Sequence, residues 1–480
     1  MSEPTTALPP ALLVDLRAAL ASEELVTEGD DLAYYGTDRC RGDWPVAPSV
    51  VALPRTVEQV QAVVRACAAH GAAIVPSGGR TGLCGAATAT RGEVVLSLQR
   101  MHRILEVDPA ARLLRCEAGA TVEAVQLAAA EHGLMYPVDF AAKGSAHIGG
   151  SIATNAGGVK VLRYGLTRSW VQGLRVVVAS GECLRLGGGL VKDNTGYDLR
   201  QLFIGAEGTL GVVVEATLRL CAPPAGLVVA LCAVPDEARV LELFARVQAH
   251  GLTLQAFECF DQGCLRRVLE HRGMQGKGPF DPPSPQHALI EVEVPEPGDA
   301  AHEATADALA ECLADAQEQG LIADAVLAAN GSQARELWAL REDTSESLHR
   351  HRPHKSDVSV PVAELPRFLA AWRRRVVEAL PGVEAVVFGH IGDGNLHLNL
   401  LQPEREDPQA FAARCKAFDE HTYALVAEHH GSVSAEHGIG LLKRAHLHHS
   451  RSPGELQMMR GIKQALDPTG LFNPGKVLPP

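Results

Sequence analysis

Apolar positions recur at helical spacing over residues 11–25, which predicts a short helix. An irregular stretch follows, with Tyr34, Tyr35, Trp44 and several prolines. From Val50 the pattern alternates. SVVALP and AAIVPSGG predict short buried strands around the helix TVEQVQAVVRACAAHG, with Thr56 as its N-cap and Gly71 as its C-cap. GEVVLSL, LLRCEAG and LRVVVASGECLRL continue as strands between glycine-rich loops, so that the chain up to about Leu220 is an α+β domain dense in glycine. After CAPPAG (221–226) the texture changes to amphipathic helices, DEARVLELFARVQAHG and DAAHEATADALAECLADAQEQG, with strands such as HALIEVEVP, and a domain boundary is placed there. Residues 272–286 form an exposed loop by composition, and no internal repeat is visible.

Composition narrows the function classes. The 480 residues carry 57 acidic against 44 basic side chains, a formal charge of −13, which argues against a nucleic-acid partner. No run approaches the roughly 18 apolar residues of a membrane span; the longest, Gly226 to Val234, is strand-sized. The N-terminus lacks the basic start and apolar block of a signal peptide, and a cytoplasmic location is expected. Eleven cysteines without a CxxC argue against a disulfide framework, an iron–sulfur cluster or a zinc ribbon.

Four glycine-rich segments carry most of the chemical information. PSGGRTGLCG (76–85) follows a strand and offers consecutive backbone amides, as an anion-binding nest does, although a glycine-rich tight turn without a ligand fits the same residues. It is neither a Walker A loop nor a GxGxxG fingerprint. KGSAHIGGSIATNAGG (143–158) holds five glycines in sixteen positions, so a large planar ligand could approach its backbone while Ser145, Thr154 and Asn155 bond its polar edge. The other two are KDNTGYDLRQLFIGAEGTLGVVVEATLRL (192–220) and DPTGLFNPGKVLP (467–479).

In the second domain, EAVVFGHIGDGNLHLNLL reads as a hairpin turning at Asp393-Gly394, the dipeptide of type I′ turns. In that register His390 lies opposite His397, close enough for two imidazoles to share a metal ion. Asn399 joins their face, while Leu396, Leu398 and Leu400 take the other, buried one. By itself the pair also suits an ordinary polar surface. SAEHGIG (434–440) offers Glu436 and His437, and nothing in the spacing brings them to the hairpin. His446, His448, His449 and the HRHRPH run from His349 are assigned no role.

Taken in order, PSGGRTGLCG, KGSAHIGGSIATNAGG, KDNTGYDLRQLFIGAEGTLGVVVEA, GHIGDGNLHLNL, SAEHGIG and DPTGLFNPGK resemble the FAD-binding dehydrogenases of the vanillyl-alcohol oxidase and p-cresol methylhydroxylase type, the D-2-hydroxyacid dehydrogenase branch best. The resemblance implies an α+β fold: an N-terminal helical segment (1–44), a two-part FAD-binding domain (45–223), and a substrate or cap domain (224–480) with an antiparallel sheet, flanking helices and a C-terminal FAD-contacting segment. It implies that Pro76, Gly78, Gly79, Arg80, Thr81, Gly82 and Leu83 hold the pyrophosphate. Pro137, Asp139, Gly144, Ser145, Ile148, Gly149, Ser151, Thr154 and Asn155 would line the flavin, and Glu207, Gly211 and Val213, with Asn473, would contact the cofactor further along. Arg80 and Ser151 stand where the family commonly has Asn, so altered hydrogen bonding is expected there. His102, His132 and His147 match no attachment pattern, so the FAD is expected to be non-covalent.

The resemblance also joins Glu436 to His390 and His397 as ligands of zinc or another divalent metal, with His437 as the base; an imidazole can accept a proton at neutral pH. Neighbours in a regular strand point apart, so this pairing needs a distorted backbone, for which Gly438 and Gly440 give scope. Arg341, Lys355 and the hydroxyl of Ser345 would hold the substrate carboxylate with Asn399, the segment between Arg341 and Lys355 being one residue shorter than the branch's pattern. The implied reaction oxidises a D-2-hydroxy acid to its 2-oxo acid with hydride transfer to flavin N5. D-2-hydroxyglutarate is the first candidate; D-lactate, D-malate or glycolate, and an inactive FAD-binding subunit of a larger complex, are the alternatives. With no iron–sulfur or nicotinamide signature, electrons are expected to leave to a separate acceptor such as an electron-transfer flavoprotein or a quinone; a homodimer is allowed.

Overall fold

A computed structural model of the chain describes residues 8–40 and 44–479. It divides into two compact units, one of Met1–Gly158, Gly165–Pro223 and Glu436–Pro480, the other of Val159–Tyr164 and Pro224–Ala435. The N-terminal segment, of which residues 1–7 and 41–43 lie outside the described residues, groups with the first unit. So does the C-terminal stretch 436–480, which the sequence reading keeps in the second domain.

The first unit holds two sheets. β1 (Leu25–Val26), β2 (Val50–Ala52), β3 (Ile74–Ser77) and β4 (Val94–Ser97) lie in the order β1-β2-β4-β3, parallel except at β1. The parallel pairing needs a crossover, and the helix Val57–Ala69 supplies it. Thr56 caps that helix by accepting from the Gln59 amide at 3.2 Å; Val57, Val60, Val63, Val64 and Cys67 form its buried stripe. The first helix is shorter than its periodicity suggests, Pro10–Ala19, because Leu25 and Val26 leave it to pair as a strand with Ala52 and Val51. β5 (Ile104–Asp108), β6 (Leu113–Glu117), β7 (Val171–Val177), β8 (Cys183–Gly187) and β9 (Val212–Arg219) form an antiparallel sheet in the order β5-β6-β9-β7-β8.

The second unit is built on one antiparallel sheet of β10 (Gly226–Val234), β11 (Leu254–Asp261), β12 (Gln286–Val294), β13 (Asp324–Leu327), β14 (His354–Ser359), β15 (Glu384–His390) and β16 (Asn395–Leu401), ordered β13-β10-β12-β11-β15-β16-β14. The helices Gly331–Glu342 and Gln262–His271 contribute Leu337, Leu340, Cys264, Leu265 and Val268 to a core with Val229, Leu231, Phe260, Leu289 and Phe388 of one sheet face. Residues 159–164 also pack in this unit, Arg163 and Tyr164 binding Glu293 at 3.0 and 2.5 Å.

The β15–β16 register differs from the expected one. His390 pairs with Asn395 and Phe388 with His397, so His390 is not directly opposite His397. A two-residue type I′ turn needs positive φ at both central residues. Here Ile391–Asp393 form a 3₁₀ turn and only Gly394, at φ 84°, is left-handed. The shift is two residues, an even number, so the two histidines keep a common face with ring centroids 5.5 Å apart, while Leu396, Leu398 and Leu400 stay buried on the other.

His287 of β12 is fully buried between Phe260 and Phe280, at ring-centroid distances of 5.3 and 5.9 Å, and neither ring nitrogen finds a hydrogen-bond partner of good geometry among the described residues. Burial holds its pKa down to about 4. The unfolded chain therefore binds a proton near pH ~6.5 that the folded chain refuses. Stability contributed by the neutral ring is complete above that pH and falls progressively as the pH drops toward 4, by about 3 kcal/mol in all. Urea unfolding followed by tryptophan fluorescence should show His287→Leu losing less stability than the wild type between pH 7 and pH 5; equal losses would contradict this assignment.

Candidate active site

In the first unit, β3 runs straight into the glycine-rich loop that begins at Gly78. Gly78 and Gly79 abut Ser145, Ala146 and His147, so close that a Cβ on Gly79 would stand 1.9 Å from the Ser145 carbonyl oxygen. The two glycine-rich segments thus form one backbone-lined cradle, in which the Cβ position of Gly150 faces open space. His147 borders it. Burial and then the nearby Arg80 charge hold this imidazole down to about 4, and its buried Nδ1 has no hydrogen-bond partner among the described residues. A neutral, unpaired ring beside exposed backbone suits a polar planar ligand.

The other residues named for this region divide into two groups. Arg80, at φ 55°, places its guanidinium over the rings of Tyr34 and Tyr35, 4.3 and 4.9 Å from their centroids. Thr81, Gly82 and Leu83 continue the same loop, and Pro76 lies in β3. Pro137 is buried; Asp139 is paired with Lys143 at 2.8 Å; Gly144 and Ser145 lie in a turn. Ile148 and Gly149 open the helix Ile148–Thr154, and Gly149 donates to the Ala118 carbonyl. Ser151 and Thr154 donate back to the carbonyls of His147 and Gly150, each at 3.1 Å, and Asn155 accepts from the Arg168 amide at 2.9 Å. Gly211 precedes β9 and Val213 is buried within it.

Glu207 and Asn473, in contrast, spend their polar atoms on protein. The Glu207 carboxylate accepts from the amides of Ile439 and Gly440. Asn473 donates to the carbonyls of Ala86 and Glu207 and accepts from Lys476.

In the second unit, one face of β11, β15, β16 and β14 collects the remaining chemistry, because residues opposite one another in an antiparallel pair share a face. His397 stands opposite Asp357, and Asn399 opposite Lys355. The Asp357 carboxylate lies 3.9 Å from His397 Nδ1 and accepts from Asn395 at 2.9 Å and from the Ala435 amide at 3.1 Å. Asn399 donates to the His397 carbonyl at 3.0 Å, and Lys355 donates to Ser345 Oγ at 3.0 Å. Lys355 and Ser345 are therefore neighbours, despite the shortened segment between Arg341 and Lys355.

Arg341 is not a free cation on a helix surface. It is buried, 4.7 Å above the Phe388 ring, and its guanidinium meets the buried Glu258 carboxylate at 2.7 Å. Glu258 also receives His390 Nδ1 at 2.7 Å. Glu258 would be pushed up by burial, yet His390 and Arg341 outweigh this and hold its carboxyl below the usual carboxylate range. Glu258, which Arg341 also binds, engages His390 through Nδ1; with the proton on Nδ1, Nε2 is the ring's lone-pair nitrogen, the arrangement of a carboxylate–histidine–metal triad.

Sequence reasoning passes over Glu258 and Asp357. For Glu258 a signal existed, a carboxylate between apolar neighbours in the strand LQAFECFD, which a second carboxylate, Asp261, closes and every residue of which is buried. Asp357 gave none, since only register puts it opposite His397. Glu436 and His437 lie in irregular backbone, with Gly438 at φ 86° and Gly440 at φ 49°, and their side chains approach to 3.9 Å instead of pointing apart.

Comparison with known proteins assigns the class. Residues 48–187 match the FAD binding domain family, and residues 223–477 match the C-terminal domain of FAD linked oxidases. The chain is 48% identical over 466 residues to a D-2-hydroxyglutarate dehydrogenase of Xanthomonas citri pv. viticola, covering 97% of this chain and 96% of the relative. It is 44% identical over 468 residues to one of Stutzerimonas stutzeri, covering 98% and 99%. The fold is that of p-cresol methylhydroxylase solved with substrate bound, at a TM-score of 0.79 and 18% identity over 99% of this chain and 98% of that one. The chain belongs to the FAD-linked oxidases and, within them, to the D-2-hydroxyglutarate dehydrogenase family. It is an FAD-dependent oxidoreductase of mixed helix and sheet. No helix among the described residues is long and apolar enough to cross a membrane.

The shared carboxylate gives a direct test. Glu258→Ala would leave Arg341 and His390 buried without their anion, and removal of one partner from a buried pair costs about 3–5 kcal/mol. Urea unfolding should show a loss of that size for Glu258→Ala and a smaller one for Glu258→Gln; a neutral Glu258→Ala would refute the shared role.

Proposed function

We propose that the protein oxidises D-2-hydroxyglutarate to its 2-oxo acid, on the polar face of the second unit's sheet and with the assistance of a divalent metal. The observation that carries this reading is the Arg341–Glu258–His390 arrangement beside Asp357 and His397 in a chain of this family. FAD, when bound, supplies the hydride acceptor for C2 of the substrate. The glycine cradle suits it, with Gly78, Gly79, Arg80, Thr81 and Gly82 toward the pyrophosphate and residues 137–155 toward the flavin, held without a covalent link. A divalent cation, when bound, supplies Lewis acidity to a hydroxyl and a carboxylate together.

His390, His397 and Glu436 are the proposed metal ligands, two imidazoles and a carboxylate, a set that suits zinc. Asp357 orients His397 and binds the amide of Ala435, the residue before Glu436. His437 takes the hydroxyl proton. Lys355 and Ser345, held together at 3.0 Å, bind a substrate carboxylate with Asn399, and Arg341 contributes from within its ion pair. A dicarboxylate gives such a set of donors two anionic ends to hold, which favours the 2-hydroxyglutarate reading over D-lactate. Electrons then pass to a separate acceptor, an electron-transfer flavoprotein or a quinone.

Anaerobic mixing of the yellow protein with D-2-hydroxyglutarate, D-lactate and D-malate should bleach the flavin fastest with the first. EDTA should abolish bleaching and zinc restore it, and His437→Ala should slow it at least ~100-fold, the lower end of the range for loss of a general base. Bleaching by D-lactate alone would overturn the substrate, and EDTA resistance would overturn the metal. Acid precipitation should leave the flavin in the supernatant; a yellow pellet would indicate a covalent bond.

A further inference from the structure

Glu207 lies on the turn between the helix Arg200–Phe203 and β9, in the left-handed region at φ 50° and almost fully buried. A non-glycine residue in this conformation is held there by its surroundings. Its amide donates to the Ala153 carbonyl at 2.7 Å and its carbonyl accepts from Asn473 at 2.7 Å, so both ends of the peptide are clamped and the side chain has one direction to take. It takes it toward residues 438–440. One carboxylate oxygen accepts from the Ile439 amide at 2.7 Å, the other from the Gly440 amide at 2.8 Å, with the Cys84 thiol at 3.6 Å from the second.

Two consecutive backbone amides on one carboxylate form a fork that fixes the peptide between them in position and orientation. The fit leaves no slack. A Cβ on Gly438 would stand 2.9 Å from a Glu207 carboxylate oxygen, and the loop continues by donating from Leu441 and Leu442 to the Cys84 carbonyl at 2.9 and 3.1 Å. His437 precedes this fork by two residues and Glu436 by three.

We propose that Glu207 is a positioning residue for the oxidation: its carboxylate touches neither substrate nor cofactor but holds the 436–440 segment so that Glu436 and His437 present their side chains. This rests on the reading of Glu436 and His437 given under Proposed function, and it replaces the cofactor contact that resemblance assigns to the Glu207 side chain. Glutamine in its place keeps the shape but turns an NH₂ group toward one of the two amides. A charge-assisted fork becomes one neutral bond and one donor–donor clash.

The test uses the FAD-loaded full chain. Glu207→Gln should retain one FAD per chain and the wild-type visible spectrum, while the rate constant of anaerobic flavin reduction by D-2-hydroxyglutarate falls at least tenfold. Deuterium exchange should quicken in peptides covering 437–442 and stay unchanged in those covering 148–155. The double variant Glu207→Gln/His437→Ala should lose less than the product of the two single losses, because displacing an absent imidazole costs nothing and only the displacement of Glu436 remains. Wild-type reduction by Glu207→Gln, loss of FAD in proportion to loss of rate, or additive losses in the double variant would each overturn the proposal. An unaffected His437→Ala would instead overturn the assignment of the base. If Glu207→Gln fails to fold, Gly438→Ala in the native chain carries the test, since its methyl group would displace the same carboxylate; it should slow reduction with FAD retained, and an unchanged rate would overturn the proposal.

Discussion

A carboxylate inside a β-sheet is stable only if its surroundings neutralise it, and the chemistry of the second unit depends on how this happens at Glu258. The strand carrying it is buried along its whole length, so water cannot compensate the charge. Arg341 arrives from a helix on one side and His390 from the neighbouring strand on the other, each at 2.7 Å. The consequence runs outward from this contact. Arg341 is fixed over Phe388, the orientation of the His390 ring is set, and the histidine face that continues to His397 and Asp357 acquires a defined geometry.

The same economy recurs in the first unit with different materials. There the buried carboxylate of Glu207 is satisfied chiefly by backbone amides. Burial raises its pKa, and the two amides act against that rise. In both units a buried anion serves as a fastener between segments distant in sequence, 258 with 341 and 390, 207 with 439 and 440.

These fasteners sit against apolar scaffolding of an ordinary kind. Leu396, Leu398 and Leu400 anchor β16 from behind, and Phe260, Leu289 and Phe388 fill the layer beneath the helix that brings Arg341. The polar face is thereby built on strands, which position side chains more closely than loops do. Hydroxy-acid oxidation asks for that, since a proton must leave the hydroxyl oxygen and a hydride the carbon that bears it, toward two different acceptors.

Much of this was legible in the sequence. The crossover helix with its Thr56 cap, the long strand 226–234 and the change of texture after CAPPAG follow from spacing and composition, because local periodicity reports which side of an element faces the core. The ordered glycine-rich and histidine-containing motifs carry the family for the same reason, each being a short segment whose chemistry needs adjacent residues. What the sequence could not decide are the long-range pairings. The hairpin register slipped by two residues because turn type depends on which φ values the flanking strands allow, and that is settled only when β14 and β11 pair alongside. Arg341 was assigned to the substrate carboxylate through the resemblance alone, and Glu258, Asp357 and the Glu207 fork went unnoticed, because a contact between residues far apart in the chain leaves no periodic trace. Sequence alone determined which chemistry the chain can hold and on which faces; the tertiary structure decided which charges meet, since that depends on the packing of segments far apart in the chain.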